Sequence, residues 1–350
     1  MVPETLRSKE GIMTLKKPEF LRWVTQLLQG AGLSSAQAST AAEVFWRATS
    51  RKVTHHDISY LPQRLDWLIT GKVNRLWNPK SIHETPSAEI WDVDGALGEV
   101  SCSFALERAM KLASQTGLGY AAVRHSNHFL ASWPYVEWGA ERGFFTIVWS
   151  NTDAGMSFPG GNSRVLGNNP LGFGFPRENG YFLGADLCLA YSSLGNLKEL
   201  IDDQQSIPSH WGNSSQGIPA QTPKELWNGG IHPIGESKGL SLALLGELIT
   251  GLLAGGETLD AVKAPAGWNT HNQMVLAWDL SLLGGLSAAQ ARGQQFHERL
   301  KTLGLNRIPG DRSQEASHLA SVTGVEISSE LEAQLKDWAK KLKVSLTDKS

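Results

Sequence analysis

The chain has 350 residues, of which 41% are hydrophobic and 19% are charged, a composition typical of a soluble globular protein with one large or two ordinary domains. A formal net charge of −2 without a basic block argues against a general nucleic-acid or membrane-surface binder. Two cysteines, Cys102 and Cys188, form no disulfide framework, and no apolar stretch has the length of a signal peptide or a membrane span, so we expect a cytoplasmic protein.

The N-terminal third is predicted to be mostly helical. Apolar residues recur at three- and four-residue steps from position 20 to 28, and Gly30 and Gly32 interrupt this pattern. Ser34 and Ser35 are suited to cap a second helix over residues 36–49. Further helices are predicted at 61–71 and 104–116, and strands at 88–93 and 119–124.

The remainder mixes strands and helices. Helices are predicted at 133–142, 239–253, 288–303 and 328–342, and strands at 144–151, 181–186 and 274–280. Residues 197–219 are rich in Ser, Gln, Asn and Gly, which predicts an irregular segment and a candidate flap beside a site.

Helices at both ends bracket a strand-rich middle, which predicts an α+β fold. We place a helical part at residues 1–120 together with 285–350, and an α+β ligand-binding part at 121–284, with approximate boundaries. No early strand leads into a Gly-x-Gly-x-x-Gly turn, which argues against a doubly wound dinucleotide fold.

Residues 124–176 are the most informative part of the chain. They contain His125 and His128, a Pro-Gly-Gly turn at 159–161 and a Gly-Asn-Asn-Pro turn at 167–170. Glycine permits positive φ and has no Cβ, and asparagine tolerates the left-handed region, so such turns let backbone approach a ligand closely. An ordinary hairpin explains any one of these glycines, whereas the whole block favours a binding site.

This block resembles the type 2 malate/L-lactate dehydrogenase family in residues 126–129 (SNHF), 159–161 (PGG) and 167–170 (GNNP). The stretch 133–137 (WPYVE) is most similar to one branch, the Δ1-piperideine-2-carboxylate/Δ1-pyrroline-2-carboxylate reductases. The resemblance extends from about residue 15 to about residue 344, with further matches at 94–98, 233–239 and 309–312. It implies NADPH or NADH as cofactor, bound on a mostly antiparallel sheet instead of a Rossmann fold, and a homodimer.

The resemblance also implies a proton donor. The family's catalytic segment, Ser-His-Gly-x-x-Arg-x-Pro, corresponds to residues 55–62 (HHDISYLP), which places His56 at the acid/base position. Asp186 matches the family aspartate that supports this histidine. The alternative for His56 is a surface histidine without a catalytic role, and the alternative for Asp186 is an aspartate that caps the end of a strand.

The catalytic segment departs from the family at three positions, His55, Asp57 and Tyr60. Tyr60 stands where the family has an arginine expected to hold the substrate carboxylate, and tyrosine supplies no positive charge. Arg64 replaces that arginine only if the helix turns it inward, and Arg51 matches a family arginine that is either substrate-binding or structural. Asp57 either raises the pKa of His56 or caps the helix that follows.

The other candidates are placed at the cofactor. His128 is expected to touch the substrate or the cofactor. Lys238 and Gly239 open a helix, where a cation and backbone N–H groups favour a phosphate. Arg312 either contacts a cofactor phosphate or braces its turn. The turn residues expected at the cofactor are Pro159, Gly160, Asn168, Asn169, Pro170 and Leu171.

Three functions remain open. In each of them we expect the protein to bind a small molecule and to bind neither nucleic acid nor a membrane. The first is reduction of a cyclic ketimine or a 2-oxo acid. The second is the same chemistry on a substrate that lacks the usual carboxylate. Tyr60 favours it, and so does Leu189, because Leu189 and Ala190 stand where the resembled family has a Thr-Ser pair. The third is a catalytically inactive cofactor-binding protein, because the segment around His56 is altered. The sequence does not separate NADPH from NADH.

Overall fold

The computed structural model describes residues 12–52, 56–262 and 270–346. The chain forms two compact units. The terminal unit comprises Met1–Leu76 and Gln295–Ser350, and the sheet unit comprises Trp77–Gln294.

The helices and strands of the described residues are, in chain order, β1 (Ile12–Leu15), α1 (Lys17–Gly30), α2 (Ser35–Ser50), α3 (Leu61–Thr70), β2 (Lys80–Glu84), β3 (Ala88–Asp92), α4 (Gly98–Thr116), β4 (Leu118–Ser126), α5 (Trp133–Glu141), β5 (Phe144–Ser150), β6 (Leu171–Pro176), β7 (Phe182–Leu187), α6 (Leu194–Asp202), β8 (Gly212–Asn213), α7 (Pro223–Asn228), β9 (Gly230–Ile231), α8 (Ser237–Glu247), β10 (His271–Asp279), α9 (Leu286–Thr302), α10 (Asp311–Thr323), β11 (Val325–Ser328) and α11 (Ser329–Leu342). Among the described residues, no helix combines the length and the apolar character that crossing a membrane requires.

The terminal unit joins both ends of the chain. Strand β1 pairs antiparallel with β11, with Ile12 opposite Ser328. Helix α2 begins at a capping box, in which the Ser34 hydroxyl accepts from the Gln37 N–H at 3.3 Å and the Gln37 side chain accepts from the Ser34 N–H at 3.0 Å. Buried faces of α1 and α2, including Phe20, supply the core of this unit.

The sheet unit is built on a seven-stranded sheet with the order β2-β3-β4-β10-β5-β6-β7. Only β3 and β4 run parallel, and the other neighbours in this sheet are antiparallel. Helix α4 packs on β4 and β10, and α5 packs on β5 and β6. The prediction of an α+β fold with a mostly antiparallel sheet, and not a doubly wound fold, is confirmed.

The structural division differs in position from the one drawn from sequence. Strand β3 pairs with β4, with Ala88 opposite Tyr120, and α4 packs on the same sheet. Residues 77–120 therefore lie in the sheet unit, whereas the sequence pattern placed them with the terminal helices. The helical periodicity of α4 does not reveal which unit its apolar face packs against.

Residues 197–219 are less irregular than predicted. Helix α6 begins after Ser193, whose hydroxyl accepts from the Asn196 N–H at 3.1 Å, and it buries Leu197. The prediction of an irregular segment was wrong at residues 197–202, because polar residues cover the outer face of a short helix that has one buried anchor.

Candidate active site

His128 lies just after the end of β4. Asn127 is fully buried and donates through Nδ2 to the carbonyl oxygens of residues 95 and 96, at 3.2 and 2.9 Å. Gly98 lets the start of α4 approach this segment, since a Cβ there would lie 2.3 Å from the His128 carbonyl oxygen. The Leu130 N–H donates to Nδ1 of His128 at 3.2 Å, so the neutral ring carries its proton on Nε2. Both the backbone and the ring of His128 are therefore fixed.

His125 belongs to an ion-pair cluster. Its Nδ1 lies 2.9 Å from Oδ2 of Asp92, and the same oxygen accepts from Nε of Arg124 at 3.3 Å. Burial favours a higher pKa for the Asp92 carboxyl, but the Asp94 N–H together with His125 and Arg124 outweighs burial and lowers the pKa below its ordinary value. The contact with Asp92 explains the position of the His125 side chain, and no ligand is needed to explain it.

Asp186, in β7, binds the start of α5. Its Oδ2 accepts from the backbone N–H of Ser132 at 3.1 Å, at a helix end that favours negative charge. Gly172 lies opposite Asp186 in β6 and makes room for this contact, since a Cβ on Gly172 would lie 2.2 Å from the Ser132 Cβ. The carboxylate thus lies against the segment that follows His128.

The turn at 167–171 is held through Asn169, which is fully buried and has a φ of +35°. Its Oδ1 accepts from the Thr152 N–H at 3.1 Å. Its Nδ2 donates to the carbonyl oxygen of Ala243 at 3.0 Å and to Oε1 of Glu247 at 2.9 Å. Its own carbonyl oxygen accepts from Nε1 of Trp149 at 3.0 Å. Because Asn169 has a left-handed conformation and is hydrogen-bonded through its side chain and its carbonyl oxygen, the turn is held in one conformation.

Asn168 is hydrogen-bonded on both sides of its side-chain amide. Its Oδ1 accepts from Oγ1 of Thr152 at 2.8 Å, and its Nδ2 lies 3.3 Å from Sγ of Cys188. Burial raises the pKa of the Cys188 thiol, so this sulfur is neutral near pH 7. Pro170 and Leu171, which complete the turn, are half-buried.

The preceding loop is open on its outer side. Pro159 and Gly160 are exposed, and Gly160 has a φ of +78° with no described atom within 4 Å of an added Cβ. Asn213 holds the loop from beneath by donating to the carbonyl oxygens of Phe158 and Gly161, at 3.0 and 2.9 Å. A ligand can therefore reach the backbone here without displacing a side chain.

The start of α8 is close-packed and uncapped. Gly239 is buried, and a Cβ there would lie 2.1 Å from the Ile234 carbonyl oxygen. Glu236 precedes the helix with a φ of +52° and makes no side-chain cap. Lys238 is exposed at this helix start, a position that favours an anion, and its own N–H donates to the carbonyl oxygen of Gly235 at 3.2 Å. These residues fit a phosphate group.

His232 lies just before this loop and is buried, 8% exposed. Burial lowers its pKa below the ordinary value, although the backbone of His210 and the charge of Glu236 act in the opposite direction. The imidazole is therefore neutral near pH 7.

In the terminal unit, His56 lies beside Tyr60, with ring centroids 6.1 Å apart. Asp57 caps the short 3₁₀ turn Ile58–Tyr60, since its Oδ1 accepts from the N–H and the hydroxyl of Ser59 at 2.9 and 2.6 Å. The structure thus shows the capping alternative for Asp57. His55 lies outside the described residues.

Arg51 and Arg64 are both buried in the terminal unit, 2% and 0% exposed. Arg51 donates to the Ser313 hydroxyl at 3.3 Å, at the start of α10. The helix does turn Arg64 inward, where its guanidinium lies 5.5 Å from the Tyr60 ring and 4.7 Å from the Trp67 ring. Both arginines are therefore packed against other side chains of the terminal unit.

Arg312 is exposed in the first turn of α10. Its neighbour Asp311 is paired with the buried His297, whose Nε2 lies 2.8 Å from Oδ2. The turn before α10 is thus braced by Asp311, with Gly310 at a φ of +90°.

Comparison with known proteins decides the family. The family model described as malate/L-lactate dehydrogenase matches residues 15–336 of the chain. The chain belongs to the malate/L-lactate dehydrogenase family. This membership assigns it to the oxidoreductases.

Relatives of this family member match most of its length. The malate/(S)-sulfolactate dehydrogenase of Methanothermus fervidus is 27% identical, over 96% of this chain and 100% of the relative. The Δ1-pyrroline-2-carboxylate/Δ1-piperideine-2-carboxylate reductase of Pseudomonas syringae pv. tomato is 28% identical, over 85% and 88%. The solved structure of a sulfolactate dehydrogenase from Methanocaldococcus jannaschii is 26% identical, covers 95% of this chain and 98% of that chain, and has a TM-score of 0.85.

The sheet unit contains most of the predicted cofactor residues of this family member. The turn at 167–171 is hydrogen-bonded to the middle of α8 through Asn169 and the carbonyl oxygen of Ala243, and Asp186 binds the segment after His128. His56, Tyr60, Arg51, Arg64 and Arg312 lie in the terminal unit, so the support of His56 by Asp186 stays a prediction.

Sequence reasoning missed the residues that hold the turns from behind. These are Thr152, Asn213 and Glu247. Asn213 carried no local signal, whereas a glutamate in the apolar face of a leucine-rich helix, as at Glu247, is a detectable anomaly. Among residues 12–52, 56–262 and 270–346, no group of three His, Cys, Asp or Glu side chains is placed to hold a metal ion.

Proposed function

We propose that this protein is an NAD(P)H-dependent reductase of a cyclic imine or a 2-oxo acid, with His56 as proton donor. Relatives of both kinds support the two substrate classes, since one is a reductase of Δ1-pyrroline-2-carboxylate and Δ1-piperideine-2-carboxylate and another is a malate/(S)-sulfolactate dehydrogenase.

The observation that carries the proposal is the turn at 167–171. Its buried Asn169 is fixed by hydrogen bonds on opposite sides, and the neighbouring loop at Gly160 is open. A rigid, strained turn next to an accessible backbone is the arrangement expected where a planar ring must be positioned against a reacting carbon.

The bound nicotinamide would supply the hydride. Residues of this chain would hold it, with the turn of Asn168 at the ring end and Lys238 with the α8 start at a phosphate. His128, which carries Nε2–H when neutral, would donate a hydrogen bond to substrate or cofactor. His56 would deliver the proton to the carbonyl oxygen or imine nitrogen.

A second candidate function is reduction of a ring substrate that lacks the usual carboxylate. Tyr60 supplies no charge, and the two arginines nearest to it in sequence, Arg51 and Arg64, expose only 2% and 0% of their surface. A guanidinium without accessible surface does not meet a ligand unless the local structure rearranges. This burial favours a substrate held by aromatic contact.

We also propose that the enzyme works as a homodimer. Helix α8 and the π-helical turn Leu248–Leu252 that follows it carry leucines that are between 42% and 64% exposed. Contiguous apolar surface of this kind is typical of protein interfaces. The leucines concerned are Leu242, Leu244, Leu245, Leu248, Leu252 and Leu253.

The deciding experiment is a titration with NADPH and with NADH, followed by tryptophan fluorescence. Trp149 donates to the Asn169 carbonyl oxygen, so binding at the turn is expected to quench its emission. A screen of cyclic imino acids, 2-oxo acids and neutral cyclic imines then identifies the substrate class. Absence of binding by either cofactor at millimolar concentration would end the enzyme proposal.

His56→Ala tests the proton donor. Turnover is expected to fall by roughly 10²–10⁴-fold, with cofactor affinity unchanged, because only proton transfer is lost. His83→Ala is the matched control, since His83 is exposed in β2. Full activity in His56→Ala would assign the proton to His128 or to His55.

A further inference from the structure

Helix α8 ends in a buried carboxylate that the proposed chemistry does not use. Glu247 is 3% exposed. Its Oε1 accepts from Nδ2 of Asn169 at 2.9 Å, and its Oε2 accepts from Nδ2 of Asn151 and from the Leu259 N–H, both at 3.2 Å. The described partners are neutral amides and a backbone N–H. A desolvated carboxylate is costly, and these donors are what stabilise it.

Each partner of Glu247 belongs to a different segment around the turn. Asn151 follows β5, and its Oδ1 accepts from the Asn272 N–H in β10 at 2.8 Å. Asn169 lies in the turn itself, and Leu259 lies in the chain that leads from α8 towards β10. Glu247 therefore joins two strands, the turn and a connecting loop at one point.

A second contact of α8 supports the same turn. A Cβ on Gly246 would lie 2.7 Å from Nε1 of Trp149, so the helix backbone packs directly on this indole. The indole donates to the Asn169 carbonyl oxygen at 3.0 Å. The end of α8 thus controls the side chain of Asn169 through Glu247 and its backbone through Trp149.

We propose that Glu247 is a positioning residue that keeps the turn at 167–171 in the shape that binds the cofactor. The proposal rests on the proposed function, because it takes this turn as the cofactor site. Without Glu247, Asn169 loses a charge-assisted partner while it holds an unfavourable positive φ, so the turn relaxes and Asn168 moves with it.

In this role the Glu247 side chain must accept hydrogen bonds at both of its oxygens. All three donors point at Glu247, and a carboxylate offers acceptors only. A glutamine of the same shape places its NH₂ against at least one of these donors. Asn169 has no free rotation to compensate, because its Oδ1 is needed by the Thr152 N–H.

This donor pattern allows a reciprocal exchange. In Asn169→Asp, two carboxylates face each other and repel. In the double variant Asn169→Asp with Glu247→Gln, the new amide donates to the new carboxylate, and the glutamine oxygen still accepts from Asn151 and Leu259. The Thr152 N–H keeps its acceptor, but the Ala243 carbonyl oxygen, which accepts from Asn169 Nδ2 at 3.0 Å, then faces a carboxylate oxygen, so the exchange restores the site only in part.

The test compares the NADPH dissociation constants of the wild type, both single variants and the double variant. Each single change is expected to weaken binding about tenfold or more, the scale of one lost hydrogen bond to a charged group. The double variant is expected to bind NADPH several-fold more tightly than either single variant, without reaching the wild type. Glu225→Gln, an exposed change in α7, is the isosteric control and should bind as the wild type does.

Several outcomes would overturn the positioning role. One is that the single variants bind NADPH within twofold of the wild type, and another is that the double variant stays as weak as the single ones. If the single variants do not fold, the double variant decides alone, since a folded double variant that binds NADPH supports the exchange, and failure to fold or to bind NADPH refutes it. Failure of the wild type to bind NADPH or NADH is a separate result, and it refutes the proposed function instead.

Discussion

Replacing Gly239 by alanine tests whether the start of α8 must lie against the preceding loop in order to bind a cofactor phosphate. The added Cβ would lie 2.1 Å from the Ile234 carbonyl oxygen and 2.9 Å from the Ile234 nitrogen. Both atoms are backbone, so no flexible side chain can move aside. Either the helix start or the loop must shift.

The size of the effect follows from this contact. Carbon–oxygen contacts in proteins lie near 3.3 Å or more, so the displacement is roughly 1 Å. Overpacking of this kind costs about 1–3 kcal/mol. The better helix propensity of alanine offsets about 1 kcal/mol of that cost. A displacement of about 1 Å in groups that position a ligand costs up to roughly 100-fold in rate.

We therefore expect a small loss of thermal stability, weaker cofactor binding and a fall in NADPH-dependent activity of roughly tenfold to 100-fold. Thermal melting, a cofactor titration and a steady-state activity assay measure the three effects separately. Gly155→Ala is the matched control, because the nearest atom to its added Cβ is Cδ1 of Leu194 at 3.7 Å. Wild-type melting and wild-type affinity in Gly239→Ala would show that the close approach is not needed.

Three further outcomes are expected. Tyr60→Arg should strengthen the binding of small 2-oxo or cyclic imino acids about tenfold to 100-fold, the value of a charge-assisted partner, and efficient turnover of pyruvate by the wild type would contradict this reasoning. Because burial lowers the pKa of His232, the unfolded chain takes up a proton first as the pH falls, so stability is complete above about pH 6.5 and declines below it. The melting temperature of His232→Gln should accordingly fall less between about pH 7 and pH 5 than that of the wild type, and equal slopes would exclude this role. Leu248→Glu should halve the mass measured in solution by light scattering, whereas Ile218→Glu, 57% exposed, should not, and an unchanged mass would place the subunit contact elsewhere.

Elements with a strong local signal were predictable from sequence. Ser34 and Gln37 encode the start of α2 by themselves, since the capping box needs no distant partner. Gly71 and Gly117 follow α3 and α4 in the left-handed region, and the predicted helix ends at 71 and 116 lie within one residue of the observed ones. The starts of helices were harder, because α4 begins at Gly98, where the signal is a close approach to the backbone of His128.

The candidate site was predictable only on its ligand side. Asn168 and Asn169 stand in a recognisable turn motif, and Lys238 opens a helix after a glycine-containing loop. Glu247 and Asn151 act on that turn from 78 and 18 residues away in sequence, and only the pairing of β5 with β10 and the packing of α8 bring them together. Non-local contacts of this kind leave no spacing rule in one sequence.

The pairing of β1 with β11 has a consequence for the order of folding on the ribosome. The sheet unit is one continuous stretch, Trp77–Gln294, and all its strands are available before the last sixth of the chain is made. Helices α1, α2 and α3 emerge first, yet β1 has no strand partner until Val325–Ser328 is synthesised. Strand β1 must therefore wait for β11, so the terminal unit completes its two-stranded sheet only after the strands of the sheet unit have been made.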